Sequence, residues 1–288
     1  MSGAGRKWAM GCGIGCGLIL IILGGLGTCS YFTVKKFKTQ ADDLEVVQAN
    51  LQDQFGEATE FVPDPDGAID PGRMEVFLAV RDSLALPRRE LGELLTTLDG
   101  DAGFIDKAKA GLNLVPSVLG FAGQRNRVLL NLGMGVGEYQ YIYTLSYYVF
   151  LAKDPGDGPG FVLAGDDHDD DGGAVHMNWG GHGDTKDVRR GRSRRVRSFV
   201  NQMQTPILAN QWQAFTATLP GDSDPEADPW GVQLAAELAA MRTDPRRIPW
   251  PDELPDPIRA SLEPYRDRLD ASYDPETSIV EMGLAEED

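Results

Sequence analysis

The sequence predicts an all-α protein: a single N-terminal transmembrane helix, then an acidic multi-helix soluble domain with a long Asp/Gly-rich loop. Three observations predict it. Residues 8–34 carry no charged side chain, and about 20 apolar residues suffice to cross a bilayer as a helix. Past residue 36, apolar residues recur at three- and four-residue spacings between Pro and Gly stops, with no sustained two-residue alternation. Acidic side chains number 44 against 27 basic ones, for a net charge of −17.

Residues 1–7 form a short tail, and 8–34 form the predicted span. Arg6 and Lys7 precede the run; Lys35, Lys36 and Lys38 follow it. The run is longer than the 7–15-residue apolar core of a cleaved signal peptide. Leu26-Gly27-Thr28-Cys29 resembles the end of a bacterial lipoprotein signal, with Thr a poor residue before the cysteine. The retained span is the favoured reading. Basic residues flank both ends almost equally, so the positive-inside bias is weak. The short tail is assigned to the cytoplasm and the large domain to the outside. Gly11 with Gly15, and Gly13 with Gly17, place small residues four apart, the spacing at which two membrane helices pack closely into a homodimer.

Residues 35–56 read as a juxtamembrane helix. Phe37, Ala41, Leu44, Val47, Leu51 and Phe55 make a narrow apolar stripe, suited either to a two-helix coil or to packing on its own domain. Residues 57–70, rich in Pro, Asp and Gly, read as a linker. The body, 71–288, opens where Asp70 and Pro71 supply a cap and a first helical turn. Met74, Phe77, Leu78 and Leu84 give helix 71–85 its apolar face; a second helix ends near Gly100. A longer one spans Phe104 to Leu132, with Pro116 inside it. Helix 138–152 carries Tyr139, Tyr141, Tyr143, Tyr147, Tyr148 and Phe150, and is apolar all round, which predicts a central position. Residues 154–190 read as a flexible insert. Helical pattern resumes around Ser193, a short alanine-rich helix follows Trp230, and a last helix covers about 257–270.

All three cysteines, Cys12, Cys16 and Cys29, fall in the apolar run, so the domain has neither a disulfide nor a cysteine nucleophile. Residues 41–288 hold 22 basic and 44 acidic groups, a net charge of −22. Such a surface repels phosphate, which argues against nucleic acid.

Candidate metal ligands cluster in the insert. Asp167, Asp169 and Asp171 alternate before Gly172, as at the start of a calcium loop, but the twelfth position is Asn178 rather than a bidentate Glu. His168, His176 and His182 are all the histidines of the chain; neutral imidazoles with nearby carboxylates suit Zn²⁺, although their spacing fits no zinc motif. The arginine run 189–197 could mark a phosphate or lipid-headgroup site or a partner-docking face; the nine aspartates in 154–187 could instead fold back on it, and because Arg190, Arg194 and Arg197 share one helix face, a solvated stripe is the favoured reading. No nucleophile elbow, metalloprotease helix or phosphate-binding loop is present in the sequence.

The favoured function is a single-pass, membrane-anchored interaction or scaffold domain with an unidentified protein partner. A bacterial cell envelope is suggested by 19 Arg against 8 Lys. One alternative is a Ca²⁺- or Zn²⁺-responsive protein that uses loop 166–184. Another is an enzyme with its site in a cleft of the aromatic helix 138–152.

Overall fold

The computed structural model describes residues 31–99, 104–158, 186–221 and 223–283. Every regular element among them is helical. α1 (Tyr31–Phe55) runs 25 residues and is followed by a 3-10 turn at Ala58–Glu60. α2 (Pro71–Ser83) starts as the sequence predicts: the Asp70 carboxylate accepts from Arg73 N, and Pro71 occupies the first turn. α3 (Ala85–Asp99) and α4 (Phe104–Leu132) follow, and α4 continues through Pro116. α5 (Val136–Tyr143) passes directly into a π-helical segment, Thr144–Phe150. α6 (Lys186–Thr218) is the longest element among the described residues. α7 (Pro229–Thr243), α8 (Asp256–Leu262), α9 (Arg266–Ser272) and the short α10 (Ser278–Glu281) follow.

α4 is the spine. α1, α2 and α3 pack along it, while α6 packs on α7 and on α5. Leu51 of α1 is 2 % exposed, and Phe55 packs partly buried against the same core. The C-terminal end of the stripe, Leu51 and Phe55, therefore serves its own domain, where the helix packs on α4. One hydrophobic core links Leu78, Leu129, Tyr143, Val200, Leu234 and Leu262, which come from six different elements.

The stretch 57–70 is bonded to the body despite its turn-rich composition. Asn210 Nδ2 donates to the Thr59 and Phe61 carbonyls at 2.9 and 3.2 Å. Gln211 Nε2 donates to the Asp64 carbonyl at 2.9 Å, and the Trp230 indole donates to the Pro65 carbonyl at 2.6 Å. Proline and aspartate bar regular structure here, and side chains of α6 and α7 take over the backbone hydrogen bonds that a helix would otherwise make.

α6 begins at Lys186, seven residues before the predicted Ser193. The start of the predicted insert is ordered against it: Arg189 bridges Asp154 and Asp157, each at 2.8 Å, and Arg192 Nε donates to the Gly156 carbonyl at 2.7 Å. Two of the preceding aspartates, Asp154 and Asp157, thus fold back on the arginine run at Arg189. Arg190 and Arg194 remain exposed.

Among the described residues no helix is long and apolar enough to cross a membrane. Residues 8–30 of the predicted span lie outside the described residues, and with them Gly11, Gly13, Gly15, Gly17 and Cys29.

Candidate functional site

The aromatic helix packs as core. Tyr139, Tyr143 and Tyr147, each four residues apart, form a ladder with ring centroids 6.0 and 4.6 Å apart. Phe77 of α2 packs on its flank, 5.4 Å from Tyr139 and 6.2 Å from Tyr147. The wide π-helical turn brings both Tyr147 and Tyr148 beside Tyr143, the second at 5.8 Å. Tyr139, Tyr143, Tyr147 and Tyr148 are part of the buried core of the domain.

A buried ionic cluster lies against this ladder. Arg81 of α2 pairs with Glu281 of α10, and both side chains are fully buried. Arg81 also donates to the Tyr139 hydroxyl at 3.1 Å and sits over the Tyr143 and Tyr147 rings. Arg81 and Arg88 together donate to the Ser272 carbonyl, and Arg88 approaches Glu281 at 3.5 Å. Burial works against the charge on Arg81, but Glu281 and the surrounding tyrosines outweigh it and hold its pKa well above the usual value. Burial pushes the Tyr139 hydroxyl up to about 12, against the opposing pull of Arg81.

The same end of the chain is tied to α4 and α5. Arg125 Nη1 donates to the Val280 and Glu281 carbonyls at 3.4 and 3.1 Å, and Gln140 Nε2 donates to the Met282 carbonyl at 2.8 Å. Glu281, Arg125 and Gln140 thereby seat α10, a four-residue helix too short to hold itself.

Arg125 and Gln140 also line a cleft of about 350 Å³ at the foot of α1. Its floor holds Arg125, Asn126 and Gln140, which are 2 %, 1 % and 4 % exposed. Asn126 Oδ1 accepts from Arg125 Nε and Nη2 at 3.1 and 2.9 Å. Leu51, Val136, Phe199 and Met203 supply apolar walls, and Gln48, Gln52, Thr59 and Gln202 line its polar remainder. Because the Gln140 nitrogen bonds a carbonyl, its own oxygen is fixed as an acceptor; that buried oxygen has no hydrogen-bond partner. Leaving such a group unmet costs about 1–3 kcal/mol; the oxygen is enclosed by protein and does not open on the cleft, which is a candidate binding site by its shape and mixed lining alone.

No protein-family model, curated protein or solved structure matches this chain.

A second cleft, about 640 Å³, opens between the 64–71 segment and α7. Asp64, Asp66, Asp70 and Asp228 line it with Trp230. Three of these carboxylates already cap backbone: Asp66 accepts from Ala68 N, Asp70 from Arg73 N, and Asp228 from Trp230 N and Gly231 N. Asp64 has a raised pKa because burial disfavours its charge and Asp66 and Asp70 repel it. The aspartates are here chiefly to start turns and helices.

The predicted metal ligands Asp167, Asp169, Asp171, His168, His176 and His182 lie outside the described residues. Among the described residues no group of three His, Cys, Asp or Glu side chains is placed to hold a metal ion. Sequence reasoning missed Arg81, Arg125 and Gln140. A signal for the arginines existed: Arg81 falls on the apolar stripe of α2 between Leu78 and Leu84, and Arg125 on that of α4 between Phe121 and Leu129. A cation inside an apolar stripe implies a buried partner.

Proposed function

We propose that the chain is a single-pass membrane protein whose acidic helical body is a binding domain, mounted outside the cytoplasm of a bacterial cell. One observation carries this reading. α1 starts at Tyr31, inside the uncharged 8–34 run, and continues unbroken to Phe55, with Leu51 in the core of the body. A helix that emerges from the bilayer would enter the domain directly. The body would then be held at a set distance and angle rather than on a loose tether. The bonds from Asn210, Gln211 and Trp230 to 59–65 support the same mount, because they brace the segment just past α1.

A rigid mount suits a protein that presents a surface to a partner near the membrane. The net charge of −17 suits a basic partner surface, or simply keeps the body off anionic lipid.

The test uses the intact chain in its native membrane. After an alkaline carbonate wash it should stay in the membrane pellet, and protease added to intact spheroplasts should digest the body. Release by carbonate would overturn the anchor; protection from protease would overturn the orientation. Cross-linking in intact membranes should capture a specific partner, and a monomer with no partner would overturn the binding role.

A further inference from the structure

We propose that the first turns of α6 dock on the anionic headgroups of the bilayer, beside the membrane helix. This rests on the single-pass reading above and adds a second, electrostatic contact to that anchor.

The direction of α6 decides where its arginines lie. Phe199 and Met203 line the same cleft as Gln48 and Leu51, and farther along Asn210 reaches the Thr59 and Phe61 carbonyls. α6 therefore runs the same way as α1. The chain between them agrees. α5 starts beside Phe55, whose side chain a Cβ on Gly135 would meet at 2.9 Å. Gln204 then donates to the Gln140 carbonyl and Arg192 to that of Gly156, so residues 140–156 run opposite to α6, back toward its start.

From Phe199 back to Lys186, α6 covers about 20 Å, and from Gln48 back to Lys35, α1 also covers about 20 Å. The start of α6 thus faces the end from which α1 arrives, where Lys35, Lys36 and Lys38 close the uncharged run.

Charge names the occupant. Residues 186–197 hold seven basic side chains and one acidic one, in a chain of net charge −17. Arg189 and Arg192 are spent inside the protein, on Asp154, Asp157 and the Gly156 carbonyl. Lys186, Arg190, Arg194 and Arg197 follow one another at three- and four-residue spacings and share a face. The first three are exposed and Arg197 is half-buried. Arg190 keeps a 3.6 Å contact to the exposed Asp187, a surface pair of little strength; the other three make no ion pair among the described residues. Guanidinium groups match phosphate oxygens, and basic groups near an anionic bilayer are drawn to it. The acidic remainder of the body is repelled by the same surface. Attraction at this end and repulsion elsewhere hold the domain upright over its anchor. An acidic protein would also suit the stripe, but only lipid explains why it stands at the membrane end.

The experiment modifies the arginines of the full chain with phenylglyoxal, in nanodiscs of phosphatidylcholine and in nanodiscs that also contain phosphatidylglycerol. Mass spectrometry reads each site. Arg190 and Arg194 should react about fivefold more slowly in the anionic discs. The difference should vanish in about 1 M salt, where the Debye length is about 3 Å. Exposed Arg246, near the point where Asn201 holds the chain and about 15 Å farther along α6 than Arg190, should react alike in both discs. The anchor is read separately: in phosphatidylcholine discs, with no charge to attract it, the chain should still co-elute with the disc at high salt. Failure to co-elute overturns the anchor and this proposal with it. A chain that co-elutes, but whose Arg190 and Arg194 react equally in the two discs, overturns the docking alone and leaves the stripe to a protein partner or to the chain itself.

Discussion

Glu281 and Arg81 are 200 residues apart in the sequence, yet they form an ion pair in which neither side chain reaches solvent. Around them the chain is closed into one unit, because the last described helix is locked beneath the second. Desolvating two charges is costly, so such a pair adds little net stability over an apolar contact of the same shape. Breaking it is a different matter. Glu281→Gln leaves Arg81 and Arg88 without their anion and is expected to cost about 3–5 kcal/mol. Urea denaturation measures this. Glu281→Leu combined with Arg81→Met should be less destabilising than the sum of the two single changes; a simple sum would show that the residues act independently.

The tyrosines set an alkaline limit. Burial raises the pKa of Tyr139 to about 12 and raises those of Tyr141, Tyr143 and Tyr148 as well. A group whose pKa is higher in the folded than in the unfolded state stabilises the fold below its unfolded pKa, and that stability is lost as pH rises through the folded value. For Tyr139 the window runs from about 10 to about 12. Tyrosinate absorbance from these rings should therefore appear in the same cooperative step in which helical circular dichroism is lost. Full ionisation with the helical signal intact would contradict the packing described.

Gly137 marks the closest approach of α5 to the 3-10 turn. A Cβ placed there would lie 2.0 Å from the Ala58 carbonyl oxygen and 2.8 Å from its carbon, both backbone atoms that cannot swing aside. Gly137→Ala is expected to destabilise by about 1–3 kcal/mol. It should also expose segment 57–61 to limited proteolysis ahead of the rest of the domain, with the denaturation midpoint read alongside.

Asn201 gathers a chain end. Its Nδ2 reaches the carbonyls of Met241, Asp244 and Arg247 at 3.0, 3.0 and 3.1 Å, which turns the chain sharply after α7. Asn201→Ala should cost about 1–3 kcal/mol, because buried carbonyls lose their donor. Asn201→Asp should cost more, since an anion would then face three carbonyl oxygens. Thermal melts of the two variants test the order; equal effects would show that the contacts are weak.

Much of the helical layout was legible along the chain. α4 spans Phe104–Leu132 as the apolar spacing predicts, and α2 starts at Pro71 behind its Asp70 cap. Periodicity and capping are local, so they survive in a single sequence. The start of α6 was read late because its first turns are built from arginines, whose apolar contacts are few and whose partners, Asp154 and Asp157, lie about 30 residues earlier. The cleft floor was not legible at all. Arg125, Asn126 and Gln140 belong to two helices, and the Gln140 oxygen is left over only because the Met282 carbonyl, 142 residues away, takes the nitrogen.

By itself the sequence determined the helical class, the acidity of the body and the uncharged run ahead of it, since each follows from composition and short-range spacing. Only the tertiary structure decided that α1 packs on its own domain, that the tyrosines are core, and which polar side chains face a cleft. Those outcomes depend on which distant groups meet a buried charge or amide, and that is settled by desolvation and hydrogen-bond satisfaction in three dimensions.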